Sequence, residues 1–361
     1  MTERPSTFLA RVTSRRRFLA GAGAGAVGLF LAACSGDGDD SDGDATATST
    51  SEATPTGTAT TEATTAATES AGGYPRTITH AFGDLTLDAR PERIVLLSDA
   101  EPLDSLLQLG GTPVSFVFSG GYIGRLPEWV ADLVPADVPQ HEDLGFGVYD
   151  LERIVTEQPD LILGVWMGEE GYDALSKIAP TVSLKEVEET TWQEIHQMMG
   201  AILGEEELAD QQIAAVEGLF DTEAARVADY QDRSVAVAYE FSEQLNIHGE
   251  RAQIAKLVKG LGFEVVAPGP DITVTAIERW SDVADADILL SPSFSEERMD
   301  AQLSNPVFSG LPAVQNGSWI VLGPELAQAG YLESALSTEW LIPRIADAII
   351  EAAEGRGEPA A

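Results

Sequence analysis

Aromatic and polar side chains follow most of the predicted strands of this 361-residue chain, where they could bind a small molecule. Short apolar runs alternate with helical patterns, which predicts parallel strands whose following loops meet at one edge of a sheet. An edge rich in aromatic rings suits a flat, partly apolar ligand that a few polar groups orient. The candidate binding residues are Asp99, Phe118, Tyr122, Arg125, Trp166, Met167, Phe241, Asn246, His248, Phe294 and Tyr331.

The sequence lacks the signatures of metal-ion sites and of several common enzyme classes. The four histidines are scattered, and none has a second His or Cys at the spacing of metal ligands: His80, His141, His196 and His248. The sequence has no G-x-S-x-G, H-E-x-x-H, P-loop or dinucleotide fingerprint. The residues therefore favour a binding protein over an enzyme or a binder of bare metal ions.

The composition is strongly acidic. The chain carries 59 Asp and Glu against 21 Lys and Arg, and its formal net charge is −38. Broad electrostatic binding to nucleic acid or anionic lipid needs surplus Lys and Arg, so this charge excludes it. Hydrophobic residues make up 44% of the chain, enough for a sizeable core, and the single Cys excludes a disulfide framework. The acidity fits either a solubilising surface or a high-salt habitat.

The N-terminus has the pattern of an export signal. Residues 14–19 read S-R-R-R-F-L, an apolar Gly/Ala/Leu run covers 18–33, and L-A-A precedes Cys34. This order predicts a signal peptide over 1–33 that resembles the twin-arginine signal and ends in a bacterial lipobox. Lipid on Cys34 would anchor the protein to the outer face of the cytoplasmic membrane. A retained transmembrane helix is the alternative, but the run is short and rich in glycine.

The next segment cannot form a core. Residues 35–73 contain no large apolar side chain and consist of Asp, Gly, Ser, Thr, Ala, Glu and Pro. Such a composition stays solvated, and we expect a disordered acidic and Thr-rich tether over 34–73. A tether behind a lipidated Cys would let a folded body reach a partner in the membrane.

Two series of strands and helices flank a purely helical stretch. Apolar runs predict buried strands at 94–97, 114–118, 161–163, 235–239, 265–266, 289–290 and 320–322, with a polar loop between 239 and a helix over 251–261. Residues 191–232 show helical spacing without a strand pattern, which predicts two helices, the second one long. The expected organisation is an N-terminal α/β lobe over 74–190, a bridging helical segment over 191–232, a C-terminal α/β lobe over 233–354 and a tail over 355–361.

Several motifs, in this order and spacing, resemble one family. They are R-I-V at 93–95, Y-D-L-E-R-I at 149–154 with Q-P-D-L-I at 158–162, L-S-K-I-A-P-T-V at 175–182, and N-P-V at 305–307 with L-P-A-V-Q-N-G at 311–317. The family is that of periplasmic-binding-protein-like lipoproteins, which deliver iron–siderophore, haem or cobalamin to ABC importers. The resemblance covers roughly residues 75–350. It implies two Rossmann-like lobes with mainly parallel sheets, joined by one long rigid helix, with a ligand cleft between them.

The resemblance also implies partners. A glutamate at a helix start in each lobe docks on arginines of the permease in this family, and the matching positions here are Glu152 and Glu278. Glu278 matches less closely, because its motif has an extra residue and lacks the Pro. The alternative for both is a favourable contact with a helix dipole. The protein is then expected to be a monomer that serves an ABC permease and its ATPase.

The expected ligand is an Fe(III)-siderophore, and no intrinsic cofactor is expected. Arg125 and Arg251 are the only basic residues near the predicted cleft loops, which favours a neutral or cationic chelate such as a hydroxamate. Where a siderophore leaves coordination sites open, His248 and Tyr331 could bind the iron; the alternative is a histidine in a surface loop and a packed tyrosine. Haem, with His248 and either Met167 or Tyr122 as axial pair, or cobalamin is the alternative. A secreted enzyme on a similar scaffold is a more distant one.

Overall fold

A computed structural model describes residues 73–98, 100–118, 123–145, 147–185 and 190–357. The predicted signal peptide, Cys34 and all of the predicted tether except its last residue lie outside these ranges, and so do Asp99 and Tyr122. None of the helices in the described part of the chain combines the length and apolarity that a bilayer span requires.

The first half of the body is built on a parallel sheet. A hairpin of β1 (Arg76–His80) and β2 (Gly83–Leu87) precedes it. The sheet has the strand order β5-β4-β3-β6-β7, and every neighbouring pair is parallel. Its strands are β3 (Ile94–Leu97), β4 (Pro113–Phe118), β5 (Gln140–Glu142), β6 (Leu161–Val165) and β7 (Thr181–Lys185). The helices are α1 (Ala100–Gln108), α2 (Glu128–Ala131), α3 (Leu151–Glu157) and α4 (Gly168–Leu175).

Two consecutive helices then lead to the second half. The helix α5 (Trp192–Leu203) begins at a capping box, in which Thr191 and Glu194 bond each other's backbone N–H groups. It ends at Gly204, whose φ of 74° suits the left-handed conformation. The helix α6 (Glu206–Arg226) has 21 residues and is therefore about 30 Å long. These are the two helices predicted for 191–232, the second being the longer.

The second half contains a mixed sheet. The strand order is β11-β9-β8-β12-β13, and β10 pairs with β8. The strands are β8 (Ser234–Phe241), β9 (Gln244–His248), β10 (Glu264–Val265), β11 (Thr273–Ala276), β12 (Ile288–Pro292) and β13 (Trp319–Leu322). The helices are α7 (Gln253–Gly260), α8 (Glu296–Ser304), α9 (Pro306–Ser309), α10 (Pro312–Gln315), α11 (Pro324–Tyr331) and α12 (Ala335–Ala353), and 3-10 turns cover Ala228–Tyr230 and Ile277–Val283.

One sequence prediction is wrong here. The polar loop expected after residue 239 is instead the end of β8 and the antiparallel strand β9, joined by Ser242 and Glu243 with positive φ values of 50° and 61°. Such a two-residue turn matches the twist of a hairpin. The strand forms because Leu245 and Ile247 alternate with polar residues and bury their side chains on one face. The second sheet therefore has an antiparallel edge of β9 and β11.

A buried carboxylate joins the two halves. Asp104 of α1 is 0% exposed and accepts hydrogen bonds from the Trp129 indole N–H at 3.0 Å and from the Ser334 hydroxyl at 2.5 Å. Trp129 belongs to the predicted N-terminal lobe, whereas Ser334 caps α12 in the predicted C-terminal lobe. The helix α12 also packs against α6. The lobes are thus connected by more than the linking helix.

We expect Asp104→Ala to destabilise the protein by about 2–4 kcal/mol, because it leaves two buried donors without their acceptor. The measurement is chemical denaturation monitored by Trp fluorescence. Asp132→Ala is the matched control, since Asp132 is exposed. Equal unfolding midpoints for the two variants would contradict the bridging role of Asp104.

Candidate ligand-binding cleft

Five rings meet at one place in the second half of the body. Phe294 lies 5.6 Å from Tyr239, 5.3 Å from Tyr331 and 6.3 Å from Phe241, measured between ring centroids. His248 lies 5.6 Å from Tyr239 and 6.2 Å from Tyr331. All these contacts are edge-to-face, the arrangement that aromatic pairs prefer. We call these five residues the aromatic cluster.

Strand register explains why the rings meet. In the β8–β9 hairpin, Val237 lies opposite His248 and Tyr239 opposite Asn246, so these side chains share one face of the sheet. Phe241 is on the same face, two residues beyond Tyr239. Phe294 follows the end of β12, and Tyr331 is the last residue of α11. The cluster therefore gathers residues that are far apart in sequence.

His248 is the buried imidazole of the aromatic cluster. Its side chain is 0% exposed, and neither ring nitrogen has a hydrogen-bond partner among the described residues. Burial lowers its pKa from 6.5 to about 4, so the imidazole is neutral near pH 7. The hydroxyls of Tyr239 and Tyr331 hydrogen-bond to each other beside it. A neutral imidazole and two phenols can accept or donate hydrogen bonds and can ligate Fe(III).

A cavity of about 350 Å³ lies against this cluster and between the two halves. Its lining residues are Ile123, Arg125, Phe294, Pro324 and Glu325. The first two belong to the predicted N-terminal lobe and the others to the predicted C-terminal lobe. Phe294 is both a wall of the cavity and a member of the aromatic cluster.

The helix α11 contacts the opposite half directly across this cavity. Arg125 forms an ion pair with Glu325. The backbone N–H of Ile123 donates to Oε1 of Gln328 at 3.1 Å. Burial raises the pKa of Glu325, while the Arg125 guanidinium acts in the opposite direction. The geometry is that of a cleft whose two sides are joined by polar contacts.

The structure brings some of the predicted binding residues together and places the others elsewhere. Phe241, His248, Phe294 and Tyr331 lie in the aromatic cluster; Asn246 lies opposite Tyr239 on the neighbouring strand; and Arg125 lines the cavity with Phe294. Phe118 is 3% exposed within the main core, and Met167 is 2% exposed within a separate core cluster of the first half. Trp166 is half-buried beside Met167, with a positive φ of 55°.

Sequence reasoning missed Ile123 and Pro324 of the cavity lining, and also Tyr239, Glu325 and Gln328. Tyr239 was assigned only to a strand, although its alternation with Phe241 places both on one face. Glu325 and Gln328 belong to α11, which follows the carboxyl end of β13. The rule that selected Tyr331 from the segment after that strand applies equally to them.

Glu152 and Glu278 occupy similar positions in the two halves. Glu152 is exposed in the first turn of α3, which Asp150 caps, and Glu278 is exposed in the 3-10 turn that follows β11. Neither carboxylate forms an ion pair with a described residue. Each glutamate is followed by an arginine that already has a partner nearby in the chain. Arg153 pairs with Glu157 at 2.8 Å. Arg279 pairs with Asp282 at 2.8 Å. Both glutamates are therefore free to meet an external partner.

Within the described ranges, no group of three or more His, Cys, Asp or Glu side chains is arranged to hold a metal ion. The aromatic cluster and cavity instead offer rings, one imidazole, two phenols and an ion pair. Such a lining fits a small, partly apolar molecule.

The sequence model of the family described as Periplasmic binding protein matches residues 124–326, more than half of the chain. The chain belongs to the periplasmic binding protein family. The matched segment includes Arg125, the aromatic cluster up to Phe294, and Glu325. The family prediction is confirmed, as is the prediction of a binding protein rather than an enzyme.

Two curated members of this family are similar over most of their length. The ferric enterobactin-binding periplasmic protein FepB of Escherichia coli is 26% identical over 293 residues, covering 73% of this chain and 89% of that protein. The Fe(3+)-citrate-binding protein YfmC of Bacillus subtilis is 25% identical over 247 residues, covering 67% of this chain and 76% of that protein.

Solved structures agree on the fold. A periplasmic solute binding protein from Mycobacterium smegmatis superposes with a TM-score of 0.67 at 23% identity, covering 77% of this chain and 98% of that chain. The prediction of two α/β lobes joined by a long helix is thereby confirmed.

Proposed function

We propose that this protein captures a ferric-siderophore complex outside the cytoplasmic membrane and delivers it to the permease of an ABC importer. The observation that carries the proposal is the aromatic cluster at a cavity between the two lobes. Rings of this kind bind the partly apolar surface of a chelate, while polar groups orient it. The relatives' names, which specify ferric enterobactin and Fe(3+)-citrate, support a ferric chelate as the ligand.

His248 and Tyr331 are the proposed iron ligands where a siderophore leaves coordination positions open. Their rings are in contact, and the buried imidazole is neutral with both nitrogens unpartnered among the described residues. Tyr331 would exchange its hydrogen bond with Tyr239 for the metal and bind it as the phenolate, releasing its proton to solvent. Haem is the second candidate, but Met167 is packed in a core cluster of the other lobe, which disfavours its pairing with His248.

The proposed cellular setting rests on the N-terminal sequence. Twin-arginine export would carry the folded protein across the membrane, and lipid on Cys34 would hold it at the outer face. The tether over 34–73 would give the body the reach to meet its permease. Glu152 and Glu278 would then dock, one in each lobe, which sets the orientation of the complex.

A panel of chelates tests the proposed function. We expect the protein without residues 1–34 to bind at least one ferric siderophore, observed as a one-to-one complex by native mass spectrometry and as quenching of Trp fluorescence. Ferric hydroxamate, ferric catecholate, haem and cobalamin form the panel. A folded protein that binds none of them would contradict the transport function, and binding of haem alone would favour the second candidate.

A further inference from the structure

The charges in the described lining of the cavity cancel. Among the described lining residues, Arg125 is the one base, and it is paired with Glu325, the one acid. The other lining residues, Ile123, Phe294 and Pro324, have apolar side chains. A ligand that enters this part of the cleft therefore meets no uncompensated positive charge among the described residues.

The two side chains of this ion pair differ in their exposure to solvent. The Glu325 side chain is 20% exposed, whereas that of Arg125 is 56% exposed. The arginine side chain has solvent to turn into, whereas the carboxylate is held in the first turn of α11 beside Pro324. If the arginine leaves, the cavity keeps a poorly hydrated negative charge, which repels anions more strongly than an exposed charge would.

The surroundings add to this negative potential. After the larger effects of burial, which raises the pKa of Glu325, and of Arg125, which lowers it, the Glu128 carboxylate raises this pKa while the Glu128 backbone N–H lowers it. The chain as a whole carries a formal net charge of −38. A strongly anionic chelate would approach through an unfavourable field, whereas a cationic one would be attracted.

We infer that Glu325 determines the charge class of the ligand, so that the cleft takes neutral or cationic ferric chelates and rejects strongly anionic ones. This inference rests on the proposed function. A neutral chelate leaves the Arg125–Glu325 pair intact, and a cationic chelate can replace the guanidinium as partner of the carboxylate. An anionic chelate must draw Arg125 away and leave Glu325 buried without its counter-charge, which is costly.

The test compares ferrioxamine B, a cationic hydroxamate complex, with ferrichrome, a neutral one, and ferric enterobactin, a strongly anionic one. Dissociation constants come from Trp fluorescence quenching of the protein without residues 1–34. We expect the wild type to bind both hydroxamate complexes at least about tenfold more tightly than ferric enterobactin. In Glu325→Gln, we expect affinity for ferric enterobactin to rise about tenfold and affinity for ferrioxamine B to fall about tenfold.

Two further variants make the test specific. Arg125→Gln should shift selectivity in the opposite direction, towards ferrioxamine B, because it leaves Glu325 unpaired. Glu333→Gln is the matched control, since Glu333 follows α11 closely but pairs with Lys256 outside the cavity lining. It should keep the wild-type order of affinities. Circular dichroism establishes that each variant is folded.

The outcomes separate the inference from the proposed function. If the wild type binds ferric enterobactin more tightly than the hydroxamates, or if Glu325→Gln matches Glu333→Gln, the charge selection is overturned while iron transport stands. If no ferric chelate binds the folded wild type, the proposed function fails and the inference fails with it. Opposite shifts in Glu325→Gln and Arg125→Gln would establish the pair as the determinant of selectivity.

Discussion

Replacing Glu152 and Glu278 together with arginine should abolish iron uptake by cells while leaving the affinity for the ferric chelate unchanged. Both glutamates are exposed, and neither has an ion-pair partner among the described residues. The family resemblance implies arginines on the facing surface of the proposed permease. Charge reversal would bring like charges together at both docking points, which costs several kcal/mol and disrupts the oriented complex.

The measurement is uptake of radiolabelled iron by cells that carry the variant in place of the wild type, together with fluorescence titration of the purified protein. A matched control replaces Glu207 and Glu217, exposed residues of α6, with arginine and so makes the same change in net charge. This control should import normally. Loss of chelate affinity in the Glu152/Glu278 variant would mean that these residues line the cleft, and normal uptake would place docking elsewhere.

The second large expected effect is a loss of folding stability at low pH. We expect the ligand-free protein to lose about 3 kcal/mol of stability through His248 as the pH falls from about 6.5 to about 4. The folded state holds the pKa of this histidine at about 4 because the ring is buried, whereas in the unfolded chain the pKa is 6.5. Between these values only the unfolded state takes up the proton, which favours unfolding. Above pH 6.5 the imidazole is neutral in both states, and this loss is absent.

The check is the free energy of unfolding as a function of pH for the wild type and for His248→Phe, which keeps a ring of similar size. Other groups titrate in both proteins, so the difference between the two curves isolates His248. That difference should change by about 3 kcal/mol across the window. Parallel curves would show that the ring is solvated or paired in solution and would contradict the burial described above.

The two predictions depend on different parts of the site. The proposed docking depends on exposed residues whose neighbours are already paired, as Arg153 is with Glu157. The acid sensitivity depends on a side chain that the fold has removed from water beside Tyr239 and Tyr331. A variant that changes one property should therefore leave the other unchanged, because distant and independent sites contribute additively.

Much of the architecture is readable from local patterns. The run at 94–97 is buried in full, as a central parallel strand should be, and the helical spacing over 191–232 predicts α5 and α6. These signals work because each depends on residues that are close in sequence. The motif around Glu152 is equally local: an Asp cap followed by a first turn leaves its glutamate at an exposed helix start.

Which side chains meet in the cleft was decided only by the tertiary structure. Phe118 and Met167 follow the same rule as Phe294, yet they pack into cores, because Phe118 shares the buried face of β4 with Phe116. The aromatic cluster needed the β8–β9 register, and the Arg125–Glu325 pair joins residues of different lobes. The sequence by itself determined many of the elements, the family and the exposed glutamates. Contacts across a cleft depend on how whole sheets and helices are oriented, and short-range patterns carry no information about that.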